Sequence, residues 1–527
     1  MAVQNPIITV NKIAAETSVA VAGQKLLIYG QKLASGNAVS GQLYQITSYS
    51  QAQSLFGEGS HILLQLSKVF DIAYLSGFKV GKPFPSIYAI ALSDASTGVQ
   101  ATSVITLTGN ATSAGIFKIS INDYIKNTYS IDIANATTVA NQALAIVNVL
   151  NADVTCPVTA SAGSGADVNK ITLTHKHKGL VGNDTYLEIP TPSTGTAVAY
   201  TAFAGGMTNP DLAAITTPIA NIRFQSIVYP HSWNRDVITA FIKARWNVDG
   251  EIKDGILFVG NIAAVSSITS VVADNHPTIC PFFTKLVSTA TFKGSVHRTH
   301  PDVIPLVFAT ILALCVTTDS NLINFVPTSL IAGSPHYNAV PVFNSIISQT
   351  LILPVDPTLD ITDEEEALLR SYCYSTLRNN RADNTLLTRP VVTTYKTTPM
   401  GYDDIAFKYI EQVKSSSVCT EYVFENMQKA FAKTTVTTGN PQIGTSQVTK
   451  DGIDAQLEVF INDLVKPPYA LIREGAVEDI MAKIKSDSKL DIKNGTYTTS
   501  VIGALVMQFR SAVITFLTTV DYTKNEI

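Results

Sequence analysis

The feature that most limits how this chain folds is an interruption. Up to about Ser93 the residues read as strand, helix and strand. From Thr97 to Ala204 they switch to alternating β-branched and polar residues, and after Gly206 the strand-and-helix pattern returns. In the first part Lys25 to Gly30 is a buried strand closed by glycine, Ser50 to Gly57 a capped helical turn, Leu63 to Ala73 a helix with Ser60 as its cap, and Ser86 to Leu92 a strand. In the interrupting part Ser103 to Gly109 and Gly115 to Ile121 alternate as half-buried strands do. A helix from Thr138 to Leu150 starts at a Thr cap and shows Ala140, Ala143, Leu144, Val147 and Leu150 on one face. Gly163 to Gly165 reads as a turn and Pro190 to Gly195 as an exit linker. The pattern predicts an α/β unit carrying an inserted, mostly β domain.

Beyond the interruption, Asp211 is expected to cap a helix, Ser226 to Pro230 to form a buried strand, and Trp233 to Trp246 another helix. The longest apolar run, Ile304 to Val316, is shorter than the ~18 residues of a membrane span and predicts a core strand or helix. Pro354 to Pro357 marks a second boundary. After it Thr362 caps a helix whose first turn, Asp363 to Glu366, is acidic as the helix dipole favours, with Arg370 and Arg378 toward its end. A strand from Arg389 to Tyr395, a helical stretch from Asp403 to about Lys433 and an exposed loop from Thr434 to Gln447 follow. Both ends of the sequence are β-prone with no local partner: Pro6 to Ile13, with Ile7, Ile8 and Val10, and Val513 to Val520, with Val513, Ile514, Phe516, Leu517 and Val520.

With 527 residues and 46% hydrophobic content the chain can bury large cores and exceeds one ordinary domain. Charged residues make up 15%, well below the roughly 25% of typical globular proteins, which leaves much polar but uncharged surface suited to subunit contact. A net charge of −4 and the absence of a dense Lys/Arg run exclude an electrostatic footprint for nucleic acid. Cys156, Cys280, Cys315, Cys373 and Cys419 are odd in number and scattered, so free thiols are expected. The sequence from Met1 to Pro6 lacks a secretory signal pattern, which predicts folding in a reducing cytoplasm.

Candidate chemistry is sparse. His175 and His177 share one face of a strand and could begin a zinc site, but no third ligand stands nearby, and the expectation is two solvent-facing residues of the outer domain. His297 and His300 are too loosely spaced without a helix or a Glu partner, and a structural or surface role is expected. No phosphate loop, nucleophile elbow or HExxH helix is present. Gly57-Glu58-Gly59-Ser60 is a weak anion cradle without a basic residue in it. No catalytic residue, metal or cofactor is expected.

Five motif groups carry a family resemblance. They are Leu55 to Ser60; Ile171 to Thr174 leading to Lys178-Gly179 and Gly182-Asn183; Gly205-Gly206 with Asn209-Pro210-Asp211; Arg389 to Tyr395 with Gly401-Tyr402-Asp403-Asp404; and Gln508-Phe509-Arg510. In this order the chain resembles the contractile bacteriophage tail sheath proteins, in their Mu-like branch. The resemblance implies a multidomain α+β or α/β protein, with a two-part α/β core, an inserted outer domain and extended terminal arms. The arms would be 1–22 and 511–527, the middle domain 23–95 and 205–355, the insertion 96–204, and an inner domain 356–510 facing a tube. It further implies a virion protein made in the host cytoplasm that assembles with itself in hexameric rings and a helical polymer, exchanging its arms between subunits. Its partners would be the tail tube, baseplate and tail terminator proteins, with no nucleic acid or membrane insertion. Lys408, Lys414, Lys429 and Lys433 are the candidate tube-facing cations. An adhesin-like virion protein and a metal- or triad-dependent hydrolase are the alternatives.

Overall fold

The computed structural model describes residues 24–75, 85–124, 126–246, 251–269, 274–285, 300–318, 361–379, 386–388, 391–442, 445–466, 469–493, 496–501 and 505. The expected terminal arms, with Ile7, Ile8, Val10, Val513, Ile514, Phe516, Leu517 and Val520, lie outside them, as do Arg389, Pro390, His297, the Pro354 boundary and Gln508 to Arg510.

The chain opens with strand β1 (Lys25–Lys32), β2 (Leu43–Ile46), helices α1 (Tyr49–Phe56) and α2 (His61–Leu75), and β3 (Ser86–Ser93). Gly57 ends α1 at φ +84°, a conformation that glycine adopts without strain. Ser60 Oγ accepts the Leu63 amide at 3.3 Å, the cap expected of it. The interruption supplies β4 (Gln100–Thr108), β5 (Gly115–Asn122), β6 (Lys126–Ile133), α3 (Val139–Ala152), β7 (Val158–Ala162), β8 (Lys170–Lys178), β9 (Tyr186–Glu188) and β10 (Ala197–Tyr200). Then come β11 (Ser226–Tyr229), α4 (Asp236–Ala244), β12 (Ile256–Ala263), β13 (Ile279–Lys285) and α5 (Val303–Thr318). The last described helices are α6 (Asp363–Ser371), α7 (Ile410–Phe431), α8 (Lys450–Val465) and α9 (Val477–Asp487).

Six strands form the central sheet in the order β13-β12-β11-β1-β3-β2, parallel except for β2, which runs antiparallel to β3 at the edge. Both faces are covered, so the strands are apolar on both sides rather than alternating. Leu26 and Ile28 of β1 point into one apolar cluster together with α2 and α5, whereas Leu27 and Tyr29 point into the opposite one with Ile215, Ile219 and α4. The side chains of α5 from Val303 to Leu314 are all buried, which accounts for the longest apolar run as a central core helix. Gly30 lets α2 approach the sheet, since a Cβ there would lie 2.8 Å from the Cβ of Ile62.

The interrupting residues build a four-stranded sheet, β10-β4-β8-β7, and a three-stranded one, β6-β5-β9, around a separate apolar cluster from Ala101 to Phe203 that includes α3. By contrast, the cluster beneath the central sheet runs without a break into α7, α8 and α9 through Ile410, Val413, Leu457, Ile461, Ile480 and Ile484. Helix α6 carries the expected Thr362 cap, completed by Glu365 as a reciprocal capping box, a motif whose cap alone contributes about 1 kcal/mol.

Several local expectations are corrected. Leu144 faces out of α3, and Gln142 and Ile146 take the buried face instead. Asp211 starts no helix; its carboxylate accepts the Ala213 amide in a short turn. The helix expected over Trp233 to Trp246 is confined to Asp236–Ala244. Pro190 to Gly195 is no exit, because β10 beyond it pairs with β4 in the same sheet. Arg378 lies in a short strand past the end of α6. Val391 to Tyr395 makes only an isolated bridge, Val392 to Tyr409, and Thr394 donates its amide to Ile279 O at the edge of β13. The helix expected from Asp403 begins only at Ile410, because Asp403 and Asp404 close a turn onto Thr397 and Lys396.

Candidate assembly surface and the buried histidine layer

The segment entering α7 forms an ordered projection. Asn275 pins its base by accepting the Lys396 and Thr397 amides, at 2.8 and 3.0 Å, and Tyr395 Oη donates to Asp404 Oδ2 at 2.5 Å. Thr398 and Tyr402 close the tip, with Gly401 at φ +85°. The tip presents Met400, Tyr402 and Ile405 at 86%, 71% and 61% exposure. Large apolar side chains held outward together on a pinned turn make this tip a candidate contact surface. The sequence pointed to this segment through Gly401 to Asp404, but not to its exposed apolar tip.

The four candidate lysines are not equivalent. Lys408 precedes α7, half-buried, with Nζ 5.8 Å from the centre of the Tyr409 ring. Lys429 is exposed in the last turn, 3.5 Å from Glu425, and Lys433 is exposed just past the helix end. Lys414 is a correction, for it points into the protein. Its Nζ donates to Gln225 O at 2.7 Å, and burial pulls its pKa down to about 7. It shares this site with Arg223, which bridges Asp254 at 2.8 Å and Glu421 at 2.9 Å, so the group fastens α7 to the chain on either side of β11. Lys414 follows Ile410 by four residues, the helical spacing that places it on the buried face.

His175 and His177 are also corrected: both are buried. They continue the register of Ile171 and Leu173, the core-facing side of β8, and that alternation was the signal available in the sequence. With His61, His231 and His300 they form a polar layer between the central sheet and the insertion. His61 Nδ1 accepts the Gln31 amide at 3.1 Å, and its Nε2 faces Tyr124 Oη at 2.6 Å. Tyr124 in turn donates to Asp302 Oδ2 at 2.8 Å, and burial first, then the Asp302 charge, raise its pKa well above the usual phenol value. His177 Nε2 accepts the His61 amide at 2.9 Å while Nδ1 meets Asp94 Oδ1 at 2.9 Å. His175 faces Asp123 Oδ2 at 3.4 Å, and His300 Nε2 stands 3.7 Å from Asp123 Oδ1. His231 is held differently, between Asp302 Oδ1 at 2.9 Å and Asp184 Oδ2 at 3.0 Å. Burial alone would lower its pKa, but the two carboxylates raise it to about 10 and keep it an imidazolium.

This arrangement ties elements together. Among the described residues no group of three or more His, Cys, Asp or Glu side chains is placed to hold a metal ion. Cys156, Cys280, Cys373 and Cys419 are free thiols. No described helix is long and apolar enough to cross a membrane.

The chain is similar to phage tail sheath proteins, the class that its motif groups resemble. The Mu-like prophage FluMu tail sheath protein of Haemophilus influenzae is 28% identical to it over 253 residues, 47% of this chain and 48% of that protein. The match thus spans about half the length of that relative. Among solved structures, the sheath tail protein of Listeria innocua aligns with 91% of this chain and 92% of its own at 11% identity and a TM-score of 0.42. A chain of the contracted anti-feeding prophage baseplate aligns with 99% of this chain and all of its own at 12% identity and a TM-score of 0.45. No family model matches the sequence.

Proposed function

We propose that this protein is a structural subunit of a contractile tail sheath and not an enzyme. The observation that carries the reading is the similarity to a tail sheath protein over 253 residues. In this reading the subunits stack as hexameric rings around a tail tube, between baseplate and terminator proteins, as a component of the virion. Contraction drives the tube through the host envelope. The energy resides in a metastable extended lattice, trapped at assembly and released to a packing with more subunit contact. The cluster-bearing insertion between residues 96 and 204 is the outer domain, and 23–95 with 205–355 is the middle domain. The segment 356–510 faces the tube, and the apolar tip at Met400, Tyr402 and Ile405 is one of its contacts.

The arms 1–22 and 511–527 are assigned to neighbouring subunits, because a lone β segment satisfies its backbone only by joining another sheet edge. Deleting residues 2–13, and with them Ile7, Ile8 and Val10, is expected to leave a cooperatively folding subunit that forms no tubes in electron micrographs. Normal polymers from that deletion would refute the assignment.

Lys429 and Lys433, with Lys408, are the remaining candidates for tube contact. Exposed pairs of this kind contribute about 1 kcal/mol or less and weaken with salt, which suits a contact that must release. Changing Lys408, Lys429 and Lys433 to Glu is expected to impair assembly on the tube while tube-free polymers persist; equal loss of both would place these lysines in sheath–sheath contacts.

A further inference from the structure

Four imidazoles of the buried layer each accept a backbone amide at one ring nitrogen: His61 from Gln31, His177 from His61, His175 from His177 and His300 from Asp302, at 3.1, 2.9, 3.1 and 3.3 Å. A ring nitrogen that accepts an N–H carries no proton of its own. A second proton on such a ring sets two donors against each other, and the amide loses its partner inside the protein. One of these bonds crosses to the insertion: the His61 amide at the start of α2 reaches His177 of β8. The Gln31 amide of β1 holds His61 from the central side, while the other nitrogen of that ring faces Tyr124 of the insertion.

We propose that this layer is an acid-released joint: neutral His61 and His177 tie the insertion to the central sheet, and proton uptake by these two rings breaks the tie. The groups facing His177 are Asp94 after β3, His61 of α2, His175 of β8 and Asp123 after β5. Those facing His61 are Tyr124, Gln65, His175, His177 and His231. Burial is the largest influence on both rings and lowers both pKa values below the ordinary 6.5, for His177 against the pull of Asp94. A base whose folded pKa is depressed contributes stability that is complete above its unfolded value, and that stability is lost as pH falls through the folded one. His231 has the opposite sign, and with a pKa of about 10 it remains an imidazolium between Asp184 and Asp302 throughout. The joint therefore opens on the His61–His177 side and stays pinned at His231. A cleft of about 330 Å³ between Leu33, Ser35 and Glu58 on one side and Asp153, Val154 and Lys176 on the other leaves room for that movement.

Hydrogen exchange of the full-length protein at pD 7.5 and 5.0, corrected for intrinsic rates, tests the joint. The Gln31 and His61 amides are expected to lose about tenfold or more of their protection at pD 5.0. The His231 amide, which donates to Asp302 at 2.8 Å, and the amides of β11 and β12 are expected to keep theirs. In His177→Gln, which offers an acceptor without a titratable ring, the His61 amide is expected to become insensitive to pH. The contrast within the parent protein decides the matter even if that variant fails to fold. Unchanged protection of Gln31 and His61 at pD 5.0 would overturn the proposal, and so would a loss shared equally by β11 and β12, which is global acid unfolding.

Discussion

Replacing Lys414 with Met is expected to leave a protein whose stability, relative to the parent, falls by about 1.4 kcal/mol for each pH unit above 8. The cause is the buried ammonium, whose pKa burial lowers from 10.5 to about 7. Between those values the unfolded chain binds the proton that the folded chain has released, so parent stability rises with pH across that window and is lost as pH falls through 7. His231 acts in the opposite sense. Its folded pKa of about 10 lies above the ordinary 6.5, so its contribution is complete below 6.5 and disappears as pH rises toward 10. In the parent the two slopes cancel from about pH 7.5 to 9, and removing Lys414 exposes the decline due to His231. Losing the bond to Gln225 O adds a pH-independent cost of about 1–3 kcal/mol, which shifts the curve without tilting it. Urea unfolding at pH 7, 8 and 9 measures the tilt, and parallel curves for parent and variant would show that Lys414 does not titrate in this range.

Asp302→Ala is expected to lower stability by about 3–5 kcal/mol, because it strips one partner from a buried ionic cluster and leaves the others. Asp302 immediately precedes α5 and accepts three hydrogen bonds, from Tyr124 Oη, the His231 amide and His231 Nδ1. Without it the His231 cation keeps only Asp184, and its pKa is expected to fall, a change visible in the titration of its ring protons by NMR. Tyr124→Phe removes only one neutral donor and is expected to cost about 1 kcal/mol. A loss below 1 kcal/mol in Asp302→Ala would mean that the layer does not tie the insertion to the central sheet.

How much the sequence reveals follows the range of the interactions concerned. Strands β1, β3 and β11, the caps Ser60, Thr138 and Thr362, and the change of pattern at Ser93 are local signals, legible because alternation and capping act within a few residues. The histidine layer is not legible, since its bonds join residues as far apart as His61 and His177, or Tyr124 and Asp302. Alternation along β8 puts both histidines on the apolar side, yet the general preference of polar residues for the surface points the other way, and in this protein alternation wins. The region from Thr394 to Asp404 departs from the strand and helix of its local pattern because its backbone is satisfied at a distance, by Ile279 at Thr394 and by Asn275 at Lys396 and Thr397. Of the candidate assembly residues, Lys429 and Lys433 lie on the surface, whereas Lys414 is charged and nonetheless buried, its partners lying far off in the sequence at Gln225 and Asp254.

The unbroken apolar cluster from the central sheet into α7, α8 and α9 has a mechanical meaning. Close-packed interiors are nearly incompressible and pass strain on with little loss. If the tip at Met400, Tyr402 and Ile405 is the contact proposed for it, a push there passes through α7 into the sheet as through a solid rod, with Arg223 and Lys414 as its rivets. The insertion is coupled in another way, through directional polar bonds and two crossings of the backbone, and it has its own apolar interior. In the proposed assembly such a linkage would yield before the rod does: a load along its axis would be borne by the sheet and its helices, with the insertion riding on them as a compliant fender.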